Sequence, residues 1–116
     1  MDDLELKKRT KQFALRVMKL VGALPQDAVG RPFGNQLIRS GTSIGANYRA
    51  ACRGRSKAEF ISKLNIVIEE ADESCYWIEL IIEEDLLPKD RVESLLDEAN
   101  HCNHGRIPKD RKRPSR

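Results

Sequence analysis

Apolar residues recur at helical spacing through most of this chain, and prolines cut the pattern into pieces. From Phe13 the stripe continues at Val17, Leu20, Val21 and Leu24, steps of four, three, one and three that align on one face of an α-helix. Pro25 ends that run, because proline lacks an amide donor and disfavours α geometry in the residue before it. A second stripe carries Phe33, Leu37, Ile44, Tyr48 and Ala51, and a third carries Phe60, Leu64, Val67, Ala71, Ser74, Ile78, Ile81 and Leu86. After Pro88 a short fourth stripe holds Val92, Leu95, Leu96 and Ala99. Stretches this long with short connections predict an all-α, antiparallel four-helix bundle.

Local signals sharpen the boundaries. Helix one is expected from Leu4 to about Leu24, with a loop from Gln26 to Arg31 and Pro32 at the first position of helix two. Arg53-Gly54-Arg55 reads as a tight connection with Gly54 left-handed, and Ser56 with Glu59 as a capping box opening helix three. Helix two is rich in small residues, including Ser40, Gly41, Ser43, Gly45 and Ala46. A glycine inside a helix costs about 1 kcal/mol against alanine, so Gly41 and Gly45 are expected to mark close approach to another helix or subunit. Residues 1–100 are expected to form the bundle. Residues 101–116, with one aliphatic side chain among many charges, are read as a frayed helix end and a basic disordered tail.

Aromatic residues make up only 5% of the chain, which leaves little material for an all-β core. No run approaches the roughly 18 apolar residues of a membrane span, and the Met-Asp-Asp-Leu-Glu start does not resemble a secretory signal, so a cytoplasmic location is expected. Cys52, Cys75 and Cys102 are an odd set without ligand spacing and are read as free thiols. The formal charge of +3 conceals strong segregation. Residues 31–63 hold seven Lys/Arg against one Asp/Glu, and residues 64–98 hold two against twelve. Such patterning governs the choice of partner more than the total does.

Two constellations follow. If the turn between helices two and three centres near Gly54, Arg39 faces the region of Glu69, Glu70 and Glu73, and Ser43 and Asn47 face the stretch from Ile61 to Ile66. No histidine or activated nucleophile falls in this stretch, so the set is read as a structural polar network rather than acid–base machinery. Around the turn, Arg49, Arg53, Arg55 and Lys57, with Arg39 and Lys63 further along, form a candidate surface for RNA or DNA backbone. Only Tyr48 lies among them, so a base-stacking platform is not expected. His101, Cys102 and His104 lack a fourth ligand and are not read as a metal site. Tyr76 and Trp77 are adjacent and should point to different sides of helix three. The absence of a phosphate-cradling glycine loop or a catalytic triad pattern points away from an enzyme, a cofactor or a small-molecule substrate.

Three blocks carry a resemblance: Gln36-Leu37-Ile38-Arg39-Ser40-Gly41-Thr42-Ser43-Ile44-Gly45-Ala46-Asn47-Tyr48-Arg49-Ala50, Ser56-Lys57-Ala58-Glu59-Phe60-Ile61-Ser62-Lys63-Leu64 and Glu69-Glu70-Ala71-Asp72-Glu73-Ser74-Cys75-Tyr76-Trp77-Ile78-Glu79-Leu80. Together they resemble the bacterial four-helix-bundle family named after proteins encoded in 23S rRNA intervening sequences, to which the accessory variability proteins of diversity-generating retroelements are related. The resemblance implies a left-handed bundle assembled as a homopentameric barrel without enzymatic activity, and nucleic-acid binding in the retroelement branch through a basic surface. Family members extend helix four with further apolar turns, whereas this chain continues as His101-Cys102-Asn103-His104-Gly105. The expectation is a non-enzymatic homo-oligomeric scaffold that engages RNA or DNA backbone, with a purely structural oligomer serving a protein partner as the alternative.

Overall fold

The computed structural model describes residues 2–105, with side chains through Asn100. Four helices follow in order: α1 (Asp3–Gly22), α2 (Gly30–Cys52), α3 (Lys57–Glu83) and α4 (Lys89–Gly105). Each packs against its neighbour in sequence, and α1 also meets α4 to close the bundle. The core holds Phe13, Val17, Leu37, Ile44, Val67, Ile78, Ile81, Val92 and Leu95, all buried and drawn from all four stripes.

The helix starts are fixed by side-chain oxygens that take up otherwise unpaired amides. Asp2 caps α1 by accepting from the amide of Glu5 at 2.8 Å. Helix α2 begins two residues before the expected Pro32, because the Asp27 carboxylate accepts from the amides of Gly30 (2.7 Å) and Val29 (3.1 Å). These two bonds, that to Gly30 foremost, lower the Asp27 pKa. Pro32 therefore sits in the first turn rather than at its first position, still where a missing N–H costs nothing. Ser56 caps α3 as expected, accepting from Glu59, but the Glu59 carboxylate returns its bond to the amide of Arg55 rather than to Ser56. Gly54 is not left-handed, since the described glycines all keep negative φ. Space is tight at this glycine, where a Cβ would lie 3.1 Å from the Ala51 carbonyl oxygen.

The end of α3 is the one left-handed feature among the described residues, at Asp85 with φ 53°. The amide of Leu86 bonds the Ile81 carbonyl and that of Asp85 bonds the Ile82 carbonyl, the paired closure of a Schellman motif. Helix α4 continues through Gly105, so residues 101–105 extend the helix where a frayed end was expected. The rest of the expected tail, residues 106–116, lies outside the described residues.

Small residues set the helix spacings. A Cβ on Gly41 would approach Val17 to 2.9 Å, one on Gly34 would approach Val21 to 2.9 Å, and one on Gly45 would approach the Thr10 hydroxyl to 3.2 Å. The glycine face of α2 thus seats α1 of the same chain. On the other side of α2, the buried Ser74 hydroxyl donates to Ser40 at 2.9 Å, and Ser40 bonds the Leu37 carbonyl. This pair lets α2 and α3 approach closely while both hydroxyls remain bonded. The closing seam between α1 and α4 is the thinnest, and Arg16 bridges it to Glu98 and to the Ser94 hydroxyl.

Candidate nucleic-acid interface

The antiparallel register brings the sequence-predicted cations to one end of the bundle. There the last turn of α2, the start of α3 and the start of α1 meet, tied by a 2.9 Å hydrogen bond from the Tyr48 hydroxyl to Asp3. Burial, reinforced by the bond to Asp3, raises the Tyr48 pKa and keeps its phenol protonated. Arg49, Arg53, Arg55 and Lys57 are exposed around this end, and Lys63 is half-buried further along α3. Among the described residues none of these five forms an ion pair. The carboxylates nearby are already occupied, Asp2 by its capping bond, Asp3 by Tyr48 and Glu59 by the Arg55 amide. Those three carboxylates keep their charge nearby, but none of them is in an ion pair with the five cations.

Arg39 is different. Its guanidinium contacts Glu70 at 3.2 Å and also pairs with Glu73, so it belongs to the α2–α3 seam and not to the free cationic surface. Glu73 also accepts from the Trp77 indole N–H at 3.0 Å. The indole bond first, then Arg39, lowers the Glu73 pKa, and Glu73 in turn raises that of Arg39. The expected network is otherwise smaller than its sequence pattern implied. Glu69 is exposed and unpaired among the described residues, Ser43 donates to the Arg39 carbonyl, and Asn47 donates to the Ser43 carbonyl. Ser43 and Asn47 thus bond along their own helix rather than across to α3. The hydroxyls that do cross are Ser40 and Ser74.

Trp77 and Tyr76 differ in burial but do not separate as expected, since their rings meet edge to face with centroids 5.3 Å apart. Trp77 is half-buried against Phe33 with ring centroids 5.8 Å apart, and Tyr76 is 54% exposed. Neither lies at the cationic end, so base stacking is not built into it. Cys52 and Cys75 are free thiols, and Cys75 contacts the Asn100 side-chain oxygen. Among the described residues no group of His, Cys, Asp and Glu is arranged to hold a metal; the side chains of His101, Cys102 and His104 lie outside them. No described helix is long and apolar enough to cross a membrane.

Reasoning from sequence missed Lys7 and Lys11. They lie on the α1 wall of a groove opposite Arg49 on α2, because the antiparallel pairing brings residues about forty positions apart to one level. The signal that would have found them is the small-residue run of α2, which fixes where α1 must lie.

Comparison with known proteins bears on the same architecture. The comparison with curated proteins found no match. Among solved structures, the chain is similar to the crystal structure of a protein of unknown function from the S23 ribosomal protein family of Bacteroides thetaiotaomicron. It shares 38% identity with that protein and superposes at a TM-score of 0.77, covering 84% of this chain and 90% of the other. Residues 2–105, which span all four helices, match the family described as 23S rRNA-intervening sequence protein, and the chain belongs to that family.

Proposed function

We propose that this protein is a non-catalytic, homo-oligomeric scaffold that holds the phosphate backbone of RNA or DNA at the cationic end of its bundle. The observation that supports this reading most directly is the set of exposed, unpaired cations Arg49, Arg53, Arg55 and Lys57 around the α2–α3 turn, beside carboxylates already committed elsewhere. Neutralising a phosphate releases condensed counterions, so each phosphate bound adds affinity that salt removes. Without an aromatic platform, binding is directed to the backbone and is nearly blind to sequence.

The test is an anisotropy titration with generic RNA and DNA at several salt concentrations, comparing the parent with the Arg53→Gln/Arg55→Gln double variant. Affinity should fall steeply with salt, and the double variant should bind more weakly with a shallower slope. Absence of binding at low salt, or binding indifferent to salt, would overturn the reading.

The oligomeric part of the proposal draws on exposed apolar residues. Leu15, Met18, Ile38, Ile61 and Tyr76 lie on the surface of the single chain, whereas Ile81 is buried and Ile68 and Ile82 are half-buried. The resemblance implies a pentameric ring. A purely structural oligomer serving a protein partner is the second reading, favoured by the exposed Tyr76, which lies away from the cationic end.

A further inference from the structure

An open groove of about 300 Å³ runs between α1 and α2, framed by Lys7 and Lys11 on one side and Arg49 on the other. Its floor is built from Ala14, Thr42, Gly45 and Ala46, side chains too short to fill the space that the tight crossing opens on its outer side. No carboxylate lines it, and among the described residues none of the three cations is in an ion pair. This sets it apart from the neighbouring hollow near the start of α1, where Lys8 and Arg9 share the lining with Asp2 and Glu5. It also differs from the hollow between α1 and α4, where Arg16 is bound to Glu98.

We infer that this groove is a phosphate seat, a defined site for one phosphate group and the sugar or second phosphate attached to it. The inference rests on the backbone-binding reading above and adds a fixed position to it. Lys7 and Lys11 stand one helical turn apart on the same face and Arg49 closes from the opposite wall, so an anion in the groove meets positive charge from two sides. The hydroxyl protons of Thr10 and Thr42 are already donated to the Leu6 and Ile38 carbonyls, so the cations alone neutralise the ligand. The short floor matters as much as the charge. A volume of about 300 Å³ is at the lower end for small-ligand pockets. A flat patch of lysines would accept phosphate anywhere along its length, whereas a groove holds it at one place.

Two probes distinguish the possible sources of the phosphate: inorganic triphosphate and a single-stranded RNA oligonucleotide, each titrated against the full chain at low salt. Ala46→Leu fills the groove without altering its charge, at an exposed helical position where leucine is well tolerated. With helicity and melting unchanged, this variant should lose at least about tenfold in affinity, a change of about 1.4 kcal/mol. Lys7→Gln/Lys11→Gln should weaken RNA binding and reduce the slope of log K against log salt by about 0.7 for each phosphate that is no longer neutralised. Competition between the two probes would place both in one seat. Triphosphate bound without RNA would keep the seat and overturn the nucleic-acid reading. RNA bound equally well by Ala46→Leu, but poorly by Arg53→Gln/Arg55→Gln, would overturn the seat and leave the turn surface standing. Failure of the parent to bind either probe would overturn both.

Discussion

Arg39 stands in both constellations read from the sequence, and its ion pairs put it in the polar network facing helix three. Counted with the basic segment, it looks available for phosphate, yet it lies between Glu70 and Glu73, and Glu73 is also held by the Trp77 indole. This arrangement makes the Glu73 ion pair pH-dependent. Its folded-state pKa lies below the ordinary glutamate value, so its stabilisation is present above about pH 4.3 and is lost as pH falls through the folded-state value. The pair is partly exposed, with Glu73 and Arg39 side chains 37% and 48% accessible, so solvent screening limits it to about 0.5–1 kcal/mol. Glu73→Gln should cost that much in urea denaturation at pH 7 and less at pH 3. A gap of constant size at both pH values would show that the Glu73 charge is not what stabilises the pair.

Glycines within one element need not share a role, and α1 and α2 provide the contrast. Gly41 touches Val17, whereas a Cβ on Gly22 at the end of α1 would meet nothing within 4 Å. Gly41→Leu gains about 1 kcal/mol of helix propensity but forces α1 away at a cost of about 1–3 kcal/mol. The net effect should be destabilising, while Gly22→Ala should raise stability by up to about 1 kcal/mol. Thermal melts of the two variants should move in opposite directions; a Gly41→Leu melt above the parent would show that the glycine face is loosely packed. The end of α3 offers another gain. Asp85 occupies a left-handed position where glycine carries no Cβ penalty, and its charge lies at the negative end of the α3 dipole beside Glu83 and Glu84. Asp85→Gly should stabilise the chain by about 0.5–1 kcal/mol, seen as a melting temperature several degrees higher. Periodicity and prolines made the four helices legible, and the Ser56 cap could be read directly. Asp27 was not recognised as a cap, because Pro32 offered a more familiar start and the bonds from Asp27 depend on a loop shape that no periodicity encodes. Asp85 left no signal either, since the residue expected at that position is glycine.

Across the whole molecule, the alternation of basic and acidic segments becomes a division between ends and faces. The cations of the α2–α3 turn occupy one end, and Glu79 and Glu83 on α3, Glu84 and Asp85 just after it, and Asp90 and Glu93 on α4 lie toward the other. Copies meeting head to tail would place opposite charges together in a heterologous contact rather than a two-fold one, and such a contact makes a ring where the rotation between copies closes. Light scattering should therefore find an oligomer at micromolar concentration that dissociates as salt rises; a strict monomer at low salt would remove the scaffold proposal. The candidate site was half legible in the sequence. The turn cations are contiguous and could be read directly, but Lys7 and Lys11 join Arg49 only once α1 is seated on the glycine face of α2. That juxtaposition depends on register between helices.

The seam between α1 and α4 is the thinnest of the four, and its described polar tie is Arg16 to Glu98 and Ser94. A closed bundle with one weak joint opens there first. Helix α4 should detach as a unit while α2 and α3, held by the Ser40–Ser74 pair and the Arg39 ion pairs, stay together. In deuterated solvent, amides of α4 should exchange in a group well before those of α2 and α3, giving the protein two levels of protection. Uniform exchange across all four helices would mean the bundle opens only as a whole.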